Sequence, residues 1–388
     1  MSVIHVLIVN ASHYIVGDTA MLLLSLSCLD PDSFFLHVVS APRGPVYKRL
    51  KQLPNARVYP MEVGGKETDL PSRVPGRRRL RNLASILRIS SLVRREGIDL
   101  IYTLDRTASM FISYAVSRLT RRPLIMSAHI SFYLGHSRSH QLVLNHAQQV
   151  TVVSEHMRQQ FMPYVNDPEK IIVVPNAITL KRFDPGLDSL TIRSVLGLEP
   201  SVPVVVLVGR IDPWKGQAEL IQAASIVLEE HPETVFLLIG QGDPEYMEKL
   251  KQLVVDLELG EKVLFLGHRD DIPQILAAAD IATMPSYYEA FGLVALESMA
   301  MAKPVIATKA GGVPEFLVDG EMGILIPPSD ADALAEAIIR LLNDPDKANQ
   351  MGRRGRKHVE QYYSFPQYQR RFRQLFQKSI SKGKKESR

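Results

Sequence analysis

Apolar segments of strand length alternate with segments of helical apolar spacing along nearly the whole chain. This alternation is typical of β-α-β units, in which helices connect buried parallel strands. The strands predicted in the first half are Val3–Val9, Leu36–Val39, Leu100–Tyr102, Leu124–Ser127, Val150–Val153 and Ile171–Val174. Those predicted in the second half are Val204–Val208, Val235–Ile239, Val263–Leu266, Ile281–Met284, Val305–Ala307 and Ile324–Ile326. The pattern therefore predicts an α/β protein.

A Pro-, Asp- and Gly-rich stretch without apolar period, PNAITLKRFDPGLDSL, separates the two groups of strands and predicts a linker. We expect one domain over residues 1–180 and a second over residues 185–360. A C-terminal helix at about 362–380 is expected to pack back on the first domain, before a basic tail at 381–388. Open α/β sheets bind ligands beyond the carboxyl ends of their strands. We therefore expect two Rossmann-like domains that face a central cleft with the active site in it.

The composition argues for a cytoplasmic protein. Hydrophobic residues make up 46% and charged residues 22% of the 388 residues, and no run has the roughly 18 apolar residues of a spanning helix. The first residues, MSVIHVLIVN, lack the features of a signal peptide, so export is not expected. The single cysteine, Cys28, excludes an intramolecular disulfide and suits a reducing compartment.

Charge is distributed unevenly along the chain. Residues 1–184 carry a net charge of +10, residues 185–358 carry −11 and residues 359–388 carry +6. The basic first half could attract a phosphate-bearing acceptor or the anionic inner face of a membrane, or could simply be a solvated surface. Nucleic acid is not expected as a partner, because no aromatic-interleaved basic strand or recognition module accompanies the charge.

One basic segment has apolar positions at helical spacing. They are Leu80, Leu83, Ile86, Leu87, Ser90 and Val93, with arginines between them. Such a helix could lie peripherally on anionic lipid. The alternative is a surface helix whose apolar stripe packs on its own sheet.

The segment VVVLVGRIDPWKGQAEL combines a buried strand with two cations. The strand is predicted to end at Gly209, a loop presents Arg210 and Lys215, and Gly216 opens a helix. Two cations beside a helix N-terminus make a site for a pyrophosphate. Both could instead be solvated loop charges.

The segment MPSYYEAFGLVALESMAMAKP provides a second candidate anion site. A helix is predicted to begin around Phe291, so that the amides of Phe291, Gly292 and Leu293 point toward a phosphate. Glu289 precedes the helix and could accept hydrogen bonds from sugar hydroxyls, while Glu297, eight residues on, could hold a ribose. Alternatively, Glu289 is only a charge that the helix dipole favours, and Glu297 is a surface residue.

Glycines follow two further strands, as Gly240 and Gly242 in one loop and the pair Gly311–Gly312 in another. They permit close approach of a ligand to the backbone. The dinucleotide fingerprint G-x-G-x-x-G is missing from these loops and from VNASHYIVGD after the first strand, which disfavours a nicotinamide or flavin enzyme.

Four motifs occur in one order within residues 150–345: G-R-x-x-x-x-K-G, a Phe-Gly-Leu turn between glutamates eight apart, P-V-I-A-T-x-x-G-G-V-P-E and D-G-E-x-G-I-L-I-P-P. In these motifs the chain resembles the retaining glycosyltransferases of family 4 (glycosyl transferases group 1), which have the GT-B fold. The resemblance implies a second domain that binds the nucleotide-sugar donor and a first domain that binds the acceptor. It also implies the donor-binding residues: Gly209, Arg210, Lys215, Gly240, His268, Arg269, Glu289, Phe291, Gly292, Leu293 and Glu297.

The resemblance also implies a role for each of these residues. Arg210 and Lys215 would bind the diphosphate, Glu289 the transferred sugar and Glu297 the ribose. The amides of Phe291–Leu293 would bind the distal phosphate. Backbone around His268 and Arg269 would contact the base.

In the first half, LIMSAHISFYLG resembles the segment in which the family keeps a histidine near the sugar, which makes His129 a catalytic candidate beside Arg210, Lys215 and Glu289. The family's Gly-Gly turn after the first strand is not evident in ASHYIVGDTAM, where only Gly17 is a plausible match. Gly17 and His13 are the acceptor-side candidates. Asn176 precedes Ala177 where the family commonly has glycine.

No metal and no cofactor are expected. His136, His140 and His146 follow one another, but no nearby carboxylate or thiol completes a ligand set. The expected function is transfer of a sugar, with retention, from a nucleotide-sugar, UDP-linked by preference, to a glycan or lipid-linked acceptor, as in polysaccharide or lipopolysaccharide synthesis. The alternatives are an epimerase or hydrolase of nucleotide-sugars on the same fold, and a non-catalytic nucleotide- or glycan-binding protein.

Overall fold

A computed structural model describes residues 3–12, 17–63, 77–105, 107–129 and 137–386. The chain divides into two compact units. Unit 1 comprises Met1–Pro175 together with Tyr368–Arg388, and unit 2 comprises Asn176–Gln367. The stretch interpreted as a linker therefore belongs almost entirely to unit 2, where Ile178 and Ser364 form an isolated parallel bridge.

Unit 1 is built on a parallel sheet. Its strands are β1 (Ile4–Asn10), β2 (Phe34–Ser40), β3 (Ala56–Pro60), β4 (Leu100–Leu104), β5 (Leu124–Ala128), β6 (Gln149–Val152) and β7 (Ile171–Val173). Among the described residues these seven strands lie in the order β3-β2-β1-β4-β5-β6-β7. The central strands are apolar because they are buried on both faces.

Helices connect the strands of unit 1. They are α1 (Gly17–Ser27), α2 (Gly44–Leu50), α3 (Arg77–Arg95), α4 (Thr107–Thr120), α5 (Arg138–His146) and α6 (Glu155–Phe161). Side-chain N-caps start two of them, since Ser137 accepts from the His140 N–H and Ser154 from the Met157 N–H. Within the described ranges of the chain, no helix is both long enough and apolar enough to cross a membrane.

Unit 2 repeats the parallel arrangement. Its strands are β8 (Val204–Val208), β9 (Val235–Ile239), β10 (Val263–Gly267), β11 (Ile281–Met284), β12 (Val305–Thr308) and β13 (Gly323–Ile326), in the order β10-β9-β8-β11-β12-β13. Its helices are α7 (Ser189–Val195), α8 (Gln217–Glu230), α9 (Pro244–Asp256), α10 (Ile272–Ala278), α11 (Leu293–Ala300), α12 (Ala331–Asn343) and α13 (Pro345–Tyr362). The strand order reverses between β8 and β11, which is the position where sheets of this topology bind ligands.

The C-terminal helix α14 (Phe365–Glu386) packs in unit 1. Phe372 and Phe376 contact the ring of Tyr102 edge-on and tilted, at centroid distances of 5.8 and 5.7 Å, and the Tyr368 hydroxyl lies 2.6 Å from the Ser25 Oγ. The helix continues to Glu386 and so includes most of the basic segment 381–388. Lysine is a good helix former, and the segment simply extends the preceding helix.

The predicted α/β class with two Rossmann-like domains is confirmed, and every predicted strand overlaps an observed one. The sequence analysis missed β3, which lies at the edge of the sheet of unit 1. Its residues ARVYP are half exposed and pair with β2 alone. An edge strand needs no continuous apolar run, so the pattern that revealed the other strands is absent there.

Candidate active site

The loop that follows β8 carries both candidate cations, Arg210 and Lys215, and ends at Gly216, the N-cap of α8. Gly216 has a φ of 73°, and a Cβ at this position would lie 2.2 Å from the carbonyl oxygen of Pro285. Pro285 follows β11, the neighbour of β8 in the sheet. Only glycine therefore allows the loop after β8 to lie directly against the loop after β11.

These two loops bring together Lys215 and Glu289. The Lys215 Nζ lies 2.5 Å from the Glu289 Oε1, and the two side chains are 29% and 15% exposed to solvent. The pair stands at the carboxyl ends of β8 and β11, where the strand order reverses. It offers a cation for a phosphate beside an acceptor for hydroxyl groups, while still accessible to a ligand.

Arg210 lies in the same loop and pairs with a different carboxylate. Its guanidinium is hydrogen-bonded to Asp212, and its side chain is 71% exposed. Its carbonyl oxygen accepts a 2.8 Å hydrogen bond from the Nε2 of the fully buried Gln217. The loop backbone is thus fixed at Arg210 while the guanidinium remains at the surface, where a cavity of about 630 Å³ opens toward the first turn of α9.

Helix α11 begins at Leu293, two residues later than predicted, because Gly292 adopts a left-handed φ of 100° and serves as the N-cap. Gly292 supplies no side chain to bond the first amides of the helix, which leaves them for a ligand. Phe291 is buried and packs on Phe316, with ring centroids 5.1 Å apart. The turn is therefore anchored in the core while its amides lie at the helix start.

The backbone of Glu289 is held by the glycine pair after β12. Gly312 donates its N–H to the Glu289 carbonyl at 3.0 Å. Gly311 has a φ of 60°, and a Cβ on it would lie 1.8 Å from the same carbonyl oxygen. The two glycines are thus needed to place Glu289.

Glu297 lies inside α11 and is partly buried. Burial raises the pKa of its carboxyl from 4.5 to about 7, against the opposing charge of Arg182. No hydrogen bond reaches this carboxylate from any residue that the structure describes. An acidic side chain held without a protein donor is suited to accept hydroxyl groups of a ligand.

The remaining donor-site candidates lie at the ends of β9 and β10. Gly240 packs so tightly that a Cβ would lie 1.8 Å from the carbonyl oxygen of Gly209. The His268 side chain is 63% exposed. Arg269 forms two hydrogen bonds to Asp271, of 2.8 and 2.6 Å, which commits its side chain and leaves its backbone for a ligand.

His129 belongs to unit 1, whereas the residues described above belong to unit 2. It follows β5, donates its N–H to the Asp105 Oδ2 at 2.8 Å, and places its Nε2 3.1 Å from the Ser127 Oγ. Gly17 is the first residue of α1. His13 lies outside the described residues.

The histidines weighed as metal ligands have protein partners. His140 lies 2.7 Å from the Ser137 Oγ, and the His146 Nε2 lies 2.8 Å from the Ser117 Oγ. His136 lies outside the described residues. Within the part of the chain that the structure describes, no group of three or more His, Cys, Asp or Glu side chains could hold a metal ion.

Three polar side chains around the ion pair were missed by the sequence analysis: Gln217, Glu219 and Tyr287. Gln217 and Glu219 lie in the first turn of α8, and both are buried. The Tyr287 hydroxyl donates to Glu219, and its N–H donates to the Trp214 carbonyl. For Gln217 and Glu219 the signal was a polar residue next to the apolar positions of a helix, whereas Tyr287 lies in a loop and had no such signal.

The sequence matches two family descriptions, Glycosyltransferase Family 4 over residues 34–182 and Glycosyl transferases group 1 over residues 188–358. The D-inositol 3-phosphate glycosyltransferase of Nocardia farcinica is 34% identical over 226 residues, which are 56% of this chain and 50% of that protein. The protein of the same description from Corynebacterium efficiens is 30% identical over 299 residues, 71% of this chain and 70% of that protein. The chain thus spans from half to about two thirds of the length of these relatives.

Among solved structures, that of Anabaena HepE in complex with UDP and glucose is similar, with a TM-score of 0.81 at 24% identity, over 96% of this chain and 99% of that chain. This similarity shows a common fold. The sequence relatives and the two family matches go further: the chain belongs to the family 4 glycosyltransferases, glycosyl transferases group 1, with the GT-B fold.

Proposed function

We propose that the chain is a retaining glycosyltransferase that moves a sugar from a nucleotide-sugar to a hydroxyl group of an acceptor. The observation that carries the proposal is the Lys215–Glu289 pair beside the uncapped start of α11, where the strand order of unit 2 reverses. A cation and helix amides suit the diphosphate of the donor. The carboxylate suits the hydroxyl groups of the sugar.

In the proposed reaction, negative charge develops on the diphosphate as the bond to the anomeric carbon breaks. Lys215, Arg210 and the amides of Phe291–Leu293 stabilise that charge in the transition state. The acceptor hydroxyl attacks from the same face, and the departing diphosphate takes its proton, so the anomeric configuration is retained. Glu289 orients the sugar, Glu297 binds the ribose, and His129 of unit 1 acts on a sugar hydroxyl. An NMR assignment of the anomeric configuration in the product tests this stereochemistry.

The backbone at the end of β10, around His268 and Arg269, is proposed to contact the base. UDP is the donor nucleotide we put first, because the solved relative from Anabaena binds UDP. The two sequence relatives described above are named for D-inositol 3-phosphate, and a phosphate-bearing acceptor fits the net charge of +10 in residues 1–184. A thermal-shift screen of UDP-, GDP- and ADP-sugars distinguishes the donors, because a ligand stabilises the protein according to its affinity.

No metal ion is proposed for the reaction, since two cationic side chains and a helix start meet the charge of the diphosphate. Turnover is expected to survive dialysis against a chelator. Loss of activity that added Mg²⁺ restores would show that a metal takes part in it.

Helix α3 supports a second part of the proposal, a peripheral contact with anionic membrane. Its inner side is buried at Ile89 and Val93, so part of the apolar stripe does pack on unit 1. Leu83 and Leu87 are nevertheless 54% and 58% exposed, in a helix with arginines and no acidic residue. Exposed leucines among basic residues favour binding to anionic lipid. Flotation with anionic vesicles is expected for the native chain and should be lost on replacing both leucines by serine.

The decisive variant is Lys215→Ala. At an effective dielectric constant of about 20, a unit charge about 4 Å away contributes roughly 4 kcal/mol, part of which acts only on the transition state. The turnover number is therefore expected to fall by about 10²–10³-fold while the fold stays intact. The matched control is Lys262→Ala, which removes a lysine paired with Glu233 elsewhere in unit 2. Near-native turnover of Lys215→Ala would refute the assignment.

A further inference from the structure

The Lys215–Glu289 pair depends on two loops that are 74 residues apart in sequence. Neither loop contains a regular element longer than the three-residue turn Pro213–Lys215. Their relative position is therefore determined by the contacts between them. A further contact joins the loop of Glu289 to α8, and it is unusual for a buried place because its acceptor is a carboxylate.

Tyr287 is bonded to the loop of Lys215 through its backbone and to helix α8 through its side chain. Its N–H donates to the carbonyl of Trp214 at 2.9 Å, one residue before Lys215. Its hydroxyl donates to the Oε1 of Glu219 in the first turn of α8. Tyr287 itself lies two residues before Glu289 in the chain. The hydrogen bond to Glu219, together with burial, raises the pKa of Tyr287, so the hydroxyl stays protonated and able to donate.

Glu219 is 8% exposed, and its second oxygen, Oε2, is buried with no hydrogen-bond partner in the described structure. Burying a carboxylate with an unsatisfied oxygen costs free energy that an apolar residue would avoid. A charge in the first turn of a helix gains from the helix dipole, but an exposed glutamate would gain as much without the burial. Local stability therefore does not explain a carboxylate at this position.

Gln217, two residues before Glu219, is a second buried polar side chain with one oxygen left unpaired by the described residues. It is fully buried, one amide atom bonds the Arg210 carbonyl, and its Oε1 has no partner in the described structure. The first turn of α8 thus sends one polar side chain to the loop of the cations and another to the loop of Glu289.

We propose that Glu219 and Tyr287 are positioning residues, whose hydrogen bond locks the loop of Glu289 to the start of α8 and so holds Lys215 and Glu289 in register. The inference rests on the proposed function for the part that concerns catalysis. The two residues do not touch substrate. They act through the placement of the pair, for which a displacement of about 1 Å can cost up to roughly 100-fold in rate.

The first test compares Tyr287→Phe, Glu219→Ala and Glu219→Gln in the full chain. Tyr287→Phe and Glu219→Ala both remove the bond, so kcat is expected to fall about 10-fold while the KM for the donor changes less than about 3-fold. Glu219→Gln keeps an oxygen that accepts from the tyrosine and should restore kcat to within about 2-fold. The double variant should lose no more than the worse single variant, because both changes remove one interaction.

The second test needs no substrate. Trp214 is the only tryptophan in the sequence, and its ring lies 6.2 Å from that of Tyr287. Its fluorescence in the ligand-free protein therefore reports on the loop of Lys215. Tyr287→Phe and Glu219→Ala should change its emission and its quenching by iodide, and Glu219→Gln should not. Tyr59→Phe is the matched control, since it removes a hydroxyl bonded to His37 in unit 1 and should change neither signal nor kcat.

Native kcat and native Trp214 emission in Tyr287→Phe would overturn the proposal, and so would losses of kcat that add in the double variant. If Glu219→Ala does not fold, Tyr287→Phe, which loses one hydroxyl group, still decides the matter. If the native chain transfers sugar from no nucleotide-sugar, the proposed function fails instead, and the Trp214 emission alone then supports or overturns the lock between the loops.

Discussion

Glu297 provides a quantitative link between the site and stability. Its carboxyl has a pKa of about 7 in the folded chain, against 4.5 for the ordinary group, because burial disfavours the charged form. The folded state therefore retains a proton that the unfolded chain releases, and stability falls as pH rises through the window between these values. At about 1.4 kcal/mol for each pH unit, the penalty reaches roughly 3 kcal/mol above pH 7.

Glu297→Gln removes the charge and retains the shape. The variant is expected to be more stable than the native chain by roughly 2–3 kcal/mol at about pH 8, which corresponds to a rise in melting temperature of several degrees. The difference should vanish near about pH 4, where the native carboxyl is protonated in both states. Thermal unfolding across this pH range measures it. An equal melting temperature of the two proteins at about pH 8 would refute the pKa and the burial that causes it.

Ligand binding should be linked to the same proton. If ribose hydroxyls donate to Glu297, they favour the charged carboxylate, so binding releases a proton and affinity rises with pH up to about 7. An intact nucleotide-sugar is the right probe, because its esterified diphosphate does not titrate in this range. Calorimetry in buffers of different ionisation enthalpy measures the proton release. Release of the same size from Glu297→Gln would assign the proton to another group.

Three further predictions concern fixed contacts. Gly311→Ala should lower turnover at least about 10-fold, because its Cβ would displace Glu289, whereas Gly320→Ala, with open space and the same sign of φ, should cost only about 1 kcal/mol of stability. Arg193→Ala should lower the free energy of unfolding by about 3 kcal/mol in a urea titration, since this buried guanidinium donates to three carbonyls. Burial raises the pKa of Cys28 to about 12, so the native protein should resist thiol reagents until it unfolds.

Most of the framework could be predicted from local sequence. Strands such as β8 are continuous apolar runs because both faces of the sheet are covered. Such a run can be recognised within the five residues of the strand itself. The positions of Arg210, Lys215 and Glu289 at strand ends follow from the same runs. Since carboxyl ends of neighbouring parallel strands meet at one edge of the sheet, the general place of the site could be predicted as well.

Other features leave no mark in the apolar pattern. The edge strand β3 has no apolar run, and the start of α11 at Leu293 is set by the left-handed Gly292. The pairing of Arg210 with Asp212, in which the Arg210 side chain stays 71% exposed, was not evident from the motif either.

What the sequence alone determined is the order of strands and helices and the chemical groups at the strand ends, because burial and turn formation leave a mark within a few neighbouring residues. Only the tertiary structure decided that Lys215 contacts Glu289 and that Tyr287 reaches Glu219, across 74 and 68 residues of chain. Such contacts follow from how the strands are ordered in the sheet and how closely glycine backbones allow loops to approach. No short stretch of sequence contains that information.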